Sequence, residues 1–491
     1  MNPTTPTAPG KASGPATPAS PVSRDDLEAR RRLEAALLAR RRPPAPAPPT
    51  PPAPAGPAGP AAASGETRFR ASLAQEGMWE SLRGGFGSTP PLLLGALRLR
   101  GPLDVPALDA AWQDVVDRHD QLRGTLHRTG DRLDLVIAPA MRLPVTVTAL
   151  DHADYDRFTR EQVDRPVDLA EGPLARLHLL RLADDDHLAF LLMHHIIGDG
   201  RSVEVLVRDL SACYLARTTG TPAALPGLPV RYGDHAAQHR ARMTGPRGAE
   251  VARYWRERLD GAEPAVLPTD RRPESEPGSP LGGFLEKELP ADVFDALREL
   301  ARRARTTFHT LGLVAFQTLL ARESGQRDIS VRVPVSYRDG TEVRDLIADF
   351  SNDVVARTDL SGNPAFGELI AQVHERSARD FAHHDLPAHL LEDHLPVPGL
   401  LDRLFHVQFT AERDLEAPVR FAGLTLEQEM PADPYVSRPL SLRLRHDDRH
   451  ARVLVTYALD RFSPARIARL ADTYTELIRE MAAHPEHPAL G

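Results

Sequence analysis

The sequence predicts a mixed α/β protein of two lobes preceded by a separate N-terminal arm. Its 491 residues exceed one domain of roughly 100 to 200 residues. Helix and strand patterns alternate from about Glu66 to the C-terminus, and the second half repeats the same kinds of element without repeating their sequence.

The arm, residues 1–65, holds 16 of the chain's 46 prolines and almost no aromatic residue, so it cannot form a core. Within it, Ser23 to Arg42 reads as a short charged helix with Leu27, Leu33, Leu37 and Leu38 on a narrow apolar stripe, and Pro43 to Pro60 as an extended spacer. The arm reads either as a disordered tail or as a tethered helix that recognises a partner.

The first lobe spans residues 66–250. Pro106 opens a helix that carries Leu108, Ala111, Trp112, Val115 and Val116 on one face. The apolar run Leu188 to Met193 predicts a strand that ends at His194 and His195. A helix then starts near Ser202, with Val203, Leu206, Leu210, Cys213 and Tyr214 facing inward. In the second lobe, residues 251–491, Phe308, Leu311, Ala315 and Leu319 form a helical stripe, and Ile329, Val331, Val333 and Val335 alternate as a strand. Asn363 and Pro364 read as the cap and first residue of another helix, Phe405 to Phe409 as a strand, and Ser463 and Pro464 as the start of a last amphipathic helix.

Composition excludes several classes of function. Hydrophobic residues make up 41% of the chain and charged residues 26%, in the globular range. With no run of about 18 apolar residues and no apolar signal-peptide core, a cytoplasmic protein with no membrane partner is expected. A net charge of -8 supplies no basic field for nucleic acid. The single cysteine, Cys213, cannot form an internal disulfide, and its apolar surroundings predict buried packing.

The strongest chemical signal is His194-His195-Ile196-Ile197-Gly198-Asp199-Gly200, spacing HHxxxDG, at a strand-to-helix turn. Neighbouring residues on a strand point to opposite faces, so the two histidines should have different roles, and the geometry argues against a metal site built on both rings. Asp199 and two glycines supply a carboxylate and close backbone approach. There is no G-x-S-x-G elbow, Walker loop or G-x-G-x-x-G loop before a helix. What remains is a histidine acting as general base or orienting group on an external nucleophile, in direct acyl transfer to an amine or alcohol.

Over residues 66 to 491 the chain resembles the condensation domains of nonribosomal peptide synthetases. HHxxxDG is that family's central motif, shared with chloramphenicol acetyltransferase-like and wax-ester-synthase-like acyltransferases. Ser72-Leu73-Ala74-Gln75-Glu76-Gly77-Met78-Trp79 is similar to the opening SxAQxRLW, Arg118 to Arg123 to RHExLR, and Arg165 to Leu169 with Gly172 to Leu174 to a further block. Tyr254-Trp255 and Leu267 to Arg271 resemble the segment joining the lobes, Val333 to Arg338 the TPVANR block, Asn352 the asparagine of FFVN, and His384 to Pro387 most of HQDLP.

The resemblance implies a pseudo-dimer of two chloramphenicol acetyltransferase-like lobes with an active-site tunnel between them. His195 would be catalytic and His194 would support the turn. Asp199 would be structural and paired with Arg338 across the lobes. Gly200 would let the chain pass closely, a nearby backbone N–H would stabilise the oxyanion, and Arg201, Ser202 and Asn352 are candidates to line the tunnel. No cofactor or metal is implied; the run His383, His384, His389 and His394 reads as part of a structural motif.

Departures from the family pattern are Gly77 and Met78, Arg201 for tryptophan, Arg332 for glycine, Ala348 and Asp349 for glycine and phenylalanine, Ala388 and His389 for phenylalanine and glutamate, and Pro439 for aspartate. The expected activity is that of a free-standing condensation enzyme. It would transfer an acyl or aminoacyl group from the phosphopantetheine of a carrier protein supplied in trans to an amine or alcohol, itself free or carrier-bound. An arginine-rich face near the tunnel mouth is expected for an acidic carrier. The alternatives are an acyl-coenzyme A-dependent acyltransferase of the same fold and a noncatalytic docking module.

Overall fold

The first half of the chain lays down β1 (Thr67–Arg70), β2 (Leu92–Arg100), β3 (Gly124–Thr129), β4 (Arg132–Ile137), β5 (Thr146–Ala149), β6 (Ala175–Ala183) and β7 (Asp186–His194). The second half adds β8 (Gly282–Glu288), β9 (Asp328–Ser336), β10 (Ser351–Asp359), β11 (Val407–Arg413), β12 (Thr425–Glu429), β13 (Leu440–His446) and β14 (Ala451–Ala458). The computed structural model describes residues 65–83, 91–267, 269–271, 281–413, 421–429, 431 and 434–491. The helix and spacer expected in the arm, and Pro268 of the lobe-joining segment, lie outside the described residues.

Among the described residues the strands form three sheets, with strand orders β1-β4-β3, β12-β2-β7-β6-β5 and β10-β9-β11-β13-β14-β8. Strand β7 is central in the five-stranded sheet and apolar throughout its middle because both of its faces are covered. Leu188, Phe190 and Leu192 pack with Tyr155 and Phe158 on one side. Ala189, Leu191 and Met193 pack on the other with Trp112 of helix Val105–Arg118 and with Leu206 and Leu210 of helix Gly200–Thr219.

The helix signals mostly hold. Asp104 caps Val105–Arg118 by accepting the Ala107 N–H at 2.9 Å, with Pro106 in the first turn. Ser463 caps Pro464–Ala483 through the N–H of Arg466. Cys213 is buried, and burial pushes its thiol up to about 11, so it packs as an apolar side chain. Two boundaries differ from expectation. The helix expected from Asn363 starts at Phe366 instead, because Asn363 takes a left-handed φ of 46° and accepts the Leu490 N–H, while Glu368 accepts the N–H of Ala365. Phe405 ends the short helix Leu400–Leu404 and precedes β11.

Each half has its own large core, and a third apolar cluster lies at the seam: Leu135 and Ile137 of β4 meet Tyr232, Tyr337, Val343, Leu346, Ala348 and Phe350. The halves also exchange elements. Strand β12 crosses over to pair antiparallel with β2, from Thr425 opposite Arg100 to Glu429 opposite Ala96. Arg98 ties this edge by bonding Asp186 (2.7 Å) and Glu429 (3.3 Å). Residue 250 falls inside helix Pro246–Arg258, whose Val251, Ala252 and Trp255 join the core of the second half. Residues Ser64–Gly491 form one compact unit. Among the described residues no helix is long and apolar enough to cross a membrane.

Candidate active site

The HHxxxDG turn sits at the end of β7 and stays tied to the strands on either side. The His194 N–H bonds to Leu174 O and the His195 N–H to Pro91 O, both at 2.8 Å. The two rings then part company. His194 is 1% exposed, and its Nδ1 accepts the Ile196 N–H at 3.1 Å, which closes the short turn His195–Ile197. Burial, with a smaller contribution from His195, pulls the His194 imidazole down to about 3, so it serves as a neutral acceptor. The His195 side chain is 28% exposed and is the ring that reaches open space.

Two of the sequence motifs brace this turn from behind. Gln75 is fully buried; its Nε2 donates to Ile196 O at 3.0 Å and lies 3.3 Å from Gln121 Oε1. Ser72 and Gln75 cap each other's backbone, which orients the glutamine. The close approach is at Gly198, where a Cβ would lie 2.6 Å from Met193 Cε and 3.2 Å from Ser202 Cβ, so that Met193 would have to shift. The expectation for Gly200 is therefore corrected: it is exposed, and a Cβ there would have no neighbour within 4 Å. Gly200 leaves room in front of the helix that begins with it.

Asp199 does two things at once. Its Oδ1 caps helix Gly200–Thr219 through the Ser202 N–H (2.8 Å), and its carboxylate takes Arg338 in a bidentate pair, Nε to Oδ2 at 3.1 Å and Nη2 to Oδ1 at 2.7 Å. Both side chains are less than a tenth exposed. Arg338 also donates to the carbonyls of Val343, Leu346 and Ala348, and its guanidinium lies over the Phe350 ring at 4.3 Å. This is the fixed fork geometry of arginine used in full.

Two residues expected to line a tunnel do something else. Ser202 has no exposed surface, and its Oγ sits in the seam, 2.8 Å from Asp199 Oδ1 and 2.9 Å from Ala348 O, while accepting the Ala348 N–H at 3.1 Å. Asn352 donates to the carbonyls of His384 and Leu386 and accepts the Ala388 N–H, so its amide is spent on holding that loop. Arg201 remains partly exposed in the first helical turn, paired with Glu204.

Two of the departures from the family pattern touch one another, and two more pair with other residues. A Cβ on Gly77 would lie 2.2 Å from His389 Nδ1, so the missing side chain at 77 makes room for the ring at 389. Arg332 bonds Asp353 at 2.7 Å and also Gln408, close to Phe405. Asp349 is 1% exposed, and its Oδ1 lies 3.7 Å from His195 Nδ1. The histidine run does not converge on one point. His383 stacks on Tyr254, His384 presents its carbonyl to Asn352, and His389 packs on Gly77. The three-donor group found among the described residues is His484, Glu486 and His487, all exposed.

The Condensation domain family matches residues 66–489. The chain belongs to the condensation domain family. A linear gramicidin synthase of Brevibacillus parabrevis is 34% identical over 405 residues, which is 80% of this chain and 5% of that protein. Phosphinothricin tripeptide synthetase PhsC of Streptomyces viridochromogenes is 36% identical over 404 residues, 79% of this chain and 37% of that protein. The chain thus spans a minor part of these curated relatives' length. Among solved structures, the X-domain from teicoplanin biosynthesis matches with TM-score 0.76 at 26% identity, covering 86% of this chain and 96% of that one. SgcC5 protein from Streptomyces globisporus matches with TM-score 0.70 at 25% identity, covering 85% and 100%. The two-lobed, chloramphenicol acetyltransferase-like architecture is that of condensation domains, and the HHxxxDG turn lies where its two halves meet.

Proposed function

We propose that this condensation domain acts as an acyl-transferring enzyme. It joins an acyl or aminoacyl group, presented as the phosphopantetheine thioester of a carrier protein, to an amine. The observation that carries the reading is the division of labour at the turn: His194 is buried and neutral as an acceptor, whereas His195 carries the half-open ring on a backbone turn held by strand, glutamine and clamp. A base or orienting group needs this combination of rigidity and access. The relatives' names, synthetases of gramicidin and of phosphinothricin tripeptide, support amide formation.

In the proposed reaction the amine nitrogen attacks the thioester carbon while His195 accepts or orients its proton. The carbonyl oxygen gains the negative charge, and a backbone N–H at the very start of helix Gly200–Thr219, that of Gly200 or Arg201, stabilises it where the bare Gly200 leaves the approach open. Collapse of the intermediate breaks the C–S bond, and the thiolate leaves with a proton. Neither a metal nor a bound cofactor has a step in this scheme.

A docking role is the second reading, because a solved structure matching this chain at 26% identity is described as a complex of the X-domain and OxyB. An alcohol acceptor is a variant of the first, since the matching SgcC5 protein is described in complex with an ethanediol. The test presents one acyl group both as a carrier-protein thioester and as a coenzyme A thioester, with amine and alcohol acceptors. Faster turnover from the carrier supports the reading. Faster turnover from coenzyme A replaces it with the acyl-coenzyme A-dependent reaction. No turnover, with complex formation lost on deleting residues 1–65, replaces it with docking.

A further inference from the structure

The geometry points to Asp349 as a positioning residue for His195, forming a carboxylate–imidazole dyad assembled across the two halves. This rests on the condensation reading and adds to it a group that departs from the family pattern.

Three observations converge. First, His195 Nδ1 is buried and has no hydrogen-bond partner among the described residues, and Asp349 Oδ1 lies 3.7 Å from it. A dyad of this kind is often long without substrate and tightens when the reacting groups are bound. Second, the carboxylate is aimed. Asp349 Oδ1 accepts both the Ser351 N–H (2.9 Å) and the Ser351 hydroxyl (2.6 Å). Third, its backbone is pinned to the HHxxxDG turn on both sides. Ala348 bonds Ser202 through both N–H and carbonyl, and the Phe350 N–H donates to Asp199 Oδ2 at 3.2 Å. Tyr232 Oη donates to the Asp349 carbonyl at 2.7 Å, with Tyr337 Oη 3.4 Å from the same oxygen.

The chemistry follows from the placement. Once the dyad tightens, Asp349 accepts the Nδ1–H, which holds the ring in one tautomer and leaves Nε2 at the open edge with its lone pair available. When Nε2 takes the amine's proton as the C–N bond forms, the imidazolium is stabilised by the carboxylate, which keeps its own charge. The same Nε2–H is then passed to the departing thiolate. The other titratable or charged groups around this pair are His194, Asp199, Arg338, Tyr232 and Tyr337. Asp199 and Arg338 neutralise each other, and burial holds the two tyrosines in their protonated form.

The test is kinetic, on the full chain, with Asp349→Asn compared with wild type and His195→Ala. Asparagine keeps an oxygen for Ser351 and removes only the charge. The expected result is a fall in kcat of at least tenfold with both KM values within twofold. The acid limb of the kcat/KM profile, which belongs to the dyad as a unit, should move to lower pH. Ser351→Ala, which loosens the carboxylate without removing its charge, should lose a few-fold in kcat and keep the limb in place. If Asp349→Asn retains kcat within twofold with an unmoved limb while His195→Ala is inert, the positioning role is overturned and the condensation reading stands. An inert wild type overturns that reading and the dyad with it.

Discussion

Asp349→Asn should make the protein more stable at neutral pH, and the size of the gain can be worked out. Asp349 is 1% exposed, and burial is the main cause that raises its carboxyl from the ordinary 3.8 to about 6, against an opposing contribution from His195. Each unit of such a shift corresponds to about 1.4 kcal/mol, so carrying this charge costs about 3 kcal/mol above pH 6. The sign follows from proton binding. Between 3.8 and about 6 the folded state binds more protons than the unfolded chain, so stability falls as pH rises through that window. Below 3.8 the carboxyl is neutral in both states and the cost disappears. Asparagine carries no charge at any pH and keeps an acceptor for Ser351. Urea unfolding followed by tryptophan fluorescence should show the variant more stable by up to about 3 kcal/mol at pH 8, with the two proteins converging near pH 4. Equal stability at pH 8, or a gain of the same size at both pH values, would refute the reasoning, because neither can come from a buried charge. A residue that lowers stability at working pH and sits beside His195 is the pattern expected of a functional group.

Two further predictions concern the seam. Arg338→Ala leaves the buried Asp199 carboxylate uncompensated and takes a donor from the Ser202 hydroxyl and from the carbonyls of Val343, Leu346 and Ala348, so unfolding should become easier by roughly 3 to 5 kcal/mol. Arg338→Lys should recover only part of this, as one ammonium cannot reproduce the fork; full recovery in urea unfolding would contradict the geometry. Gly77→Arg should destabilise by about 1 to 3 kcal/mol through collision with His389. Adding His389→Glu should return part of that loss in a double-mutant cycle, whereas strictly additive effects would show that the two positions are not coupled.

Local patterns carried the element types and the cores. The apolar run of β7, the helix starts at Pro106 and Ser463 and the buried Cys213 were readable because each depends on nearby residues. Strand β12 was not, since Thr425 to Glu429 has little apolar alternation and takes its shape from β2, more than 300 residues away along the chain. At the site, the motif located the turn and separated the two histidines, but it could not say which residues near it face open space. Ser202 is sealed into the seam and Asn352 holds the loop at residues 384–388, and the tight glycine is Gly198, beside Met193, and not Gly200. Asp349 was visible only as a departure from pattern. Its meaning depends on β10 starting beside the turn, a contact between halves that no spacing encodes.

If His195 performs acyl transfer to an acceptor at the meeting of the two halves, removing its ring must stop the reaction without unfolding the protein. The most direct measurement is intact-mass analysis of wild type and His195→Ala, each incubated with acyl-loaded carrier proteins and candidate amines. The carrier should lose its acyl group and a coupled amide should appear with wild type only, while His195→Ala, still folded by circular dichroism, leaves the thioester intact. Equal product from both proteins would contradict the assignment.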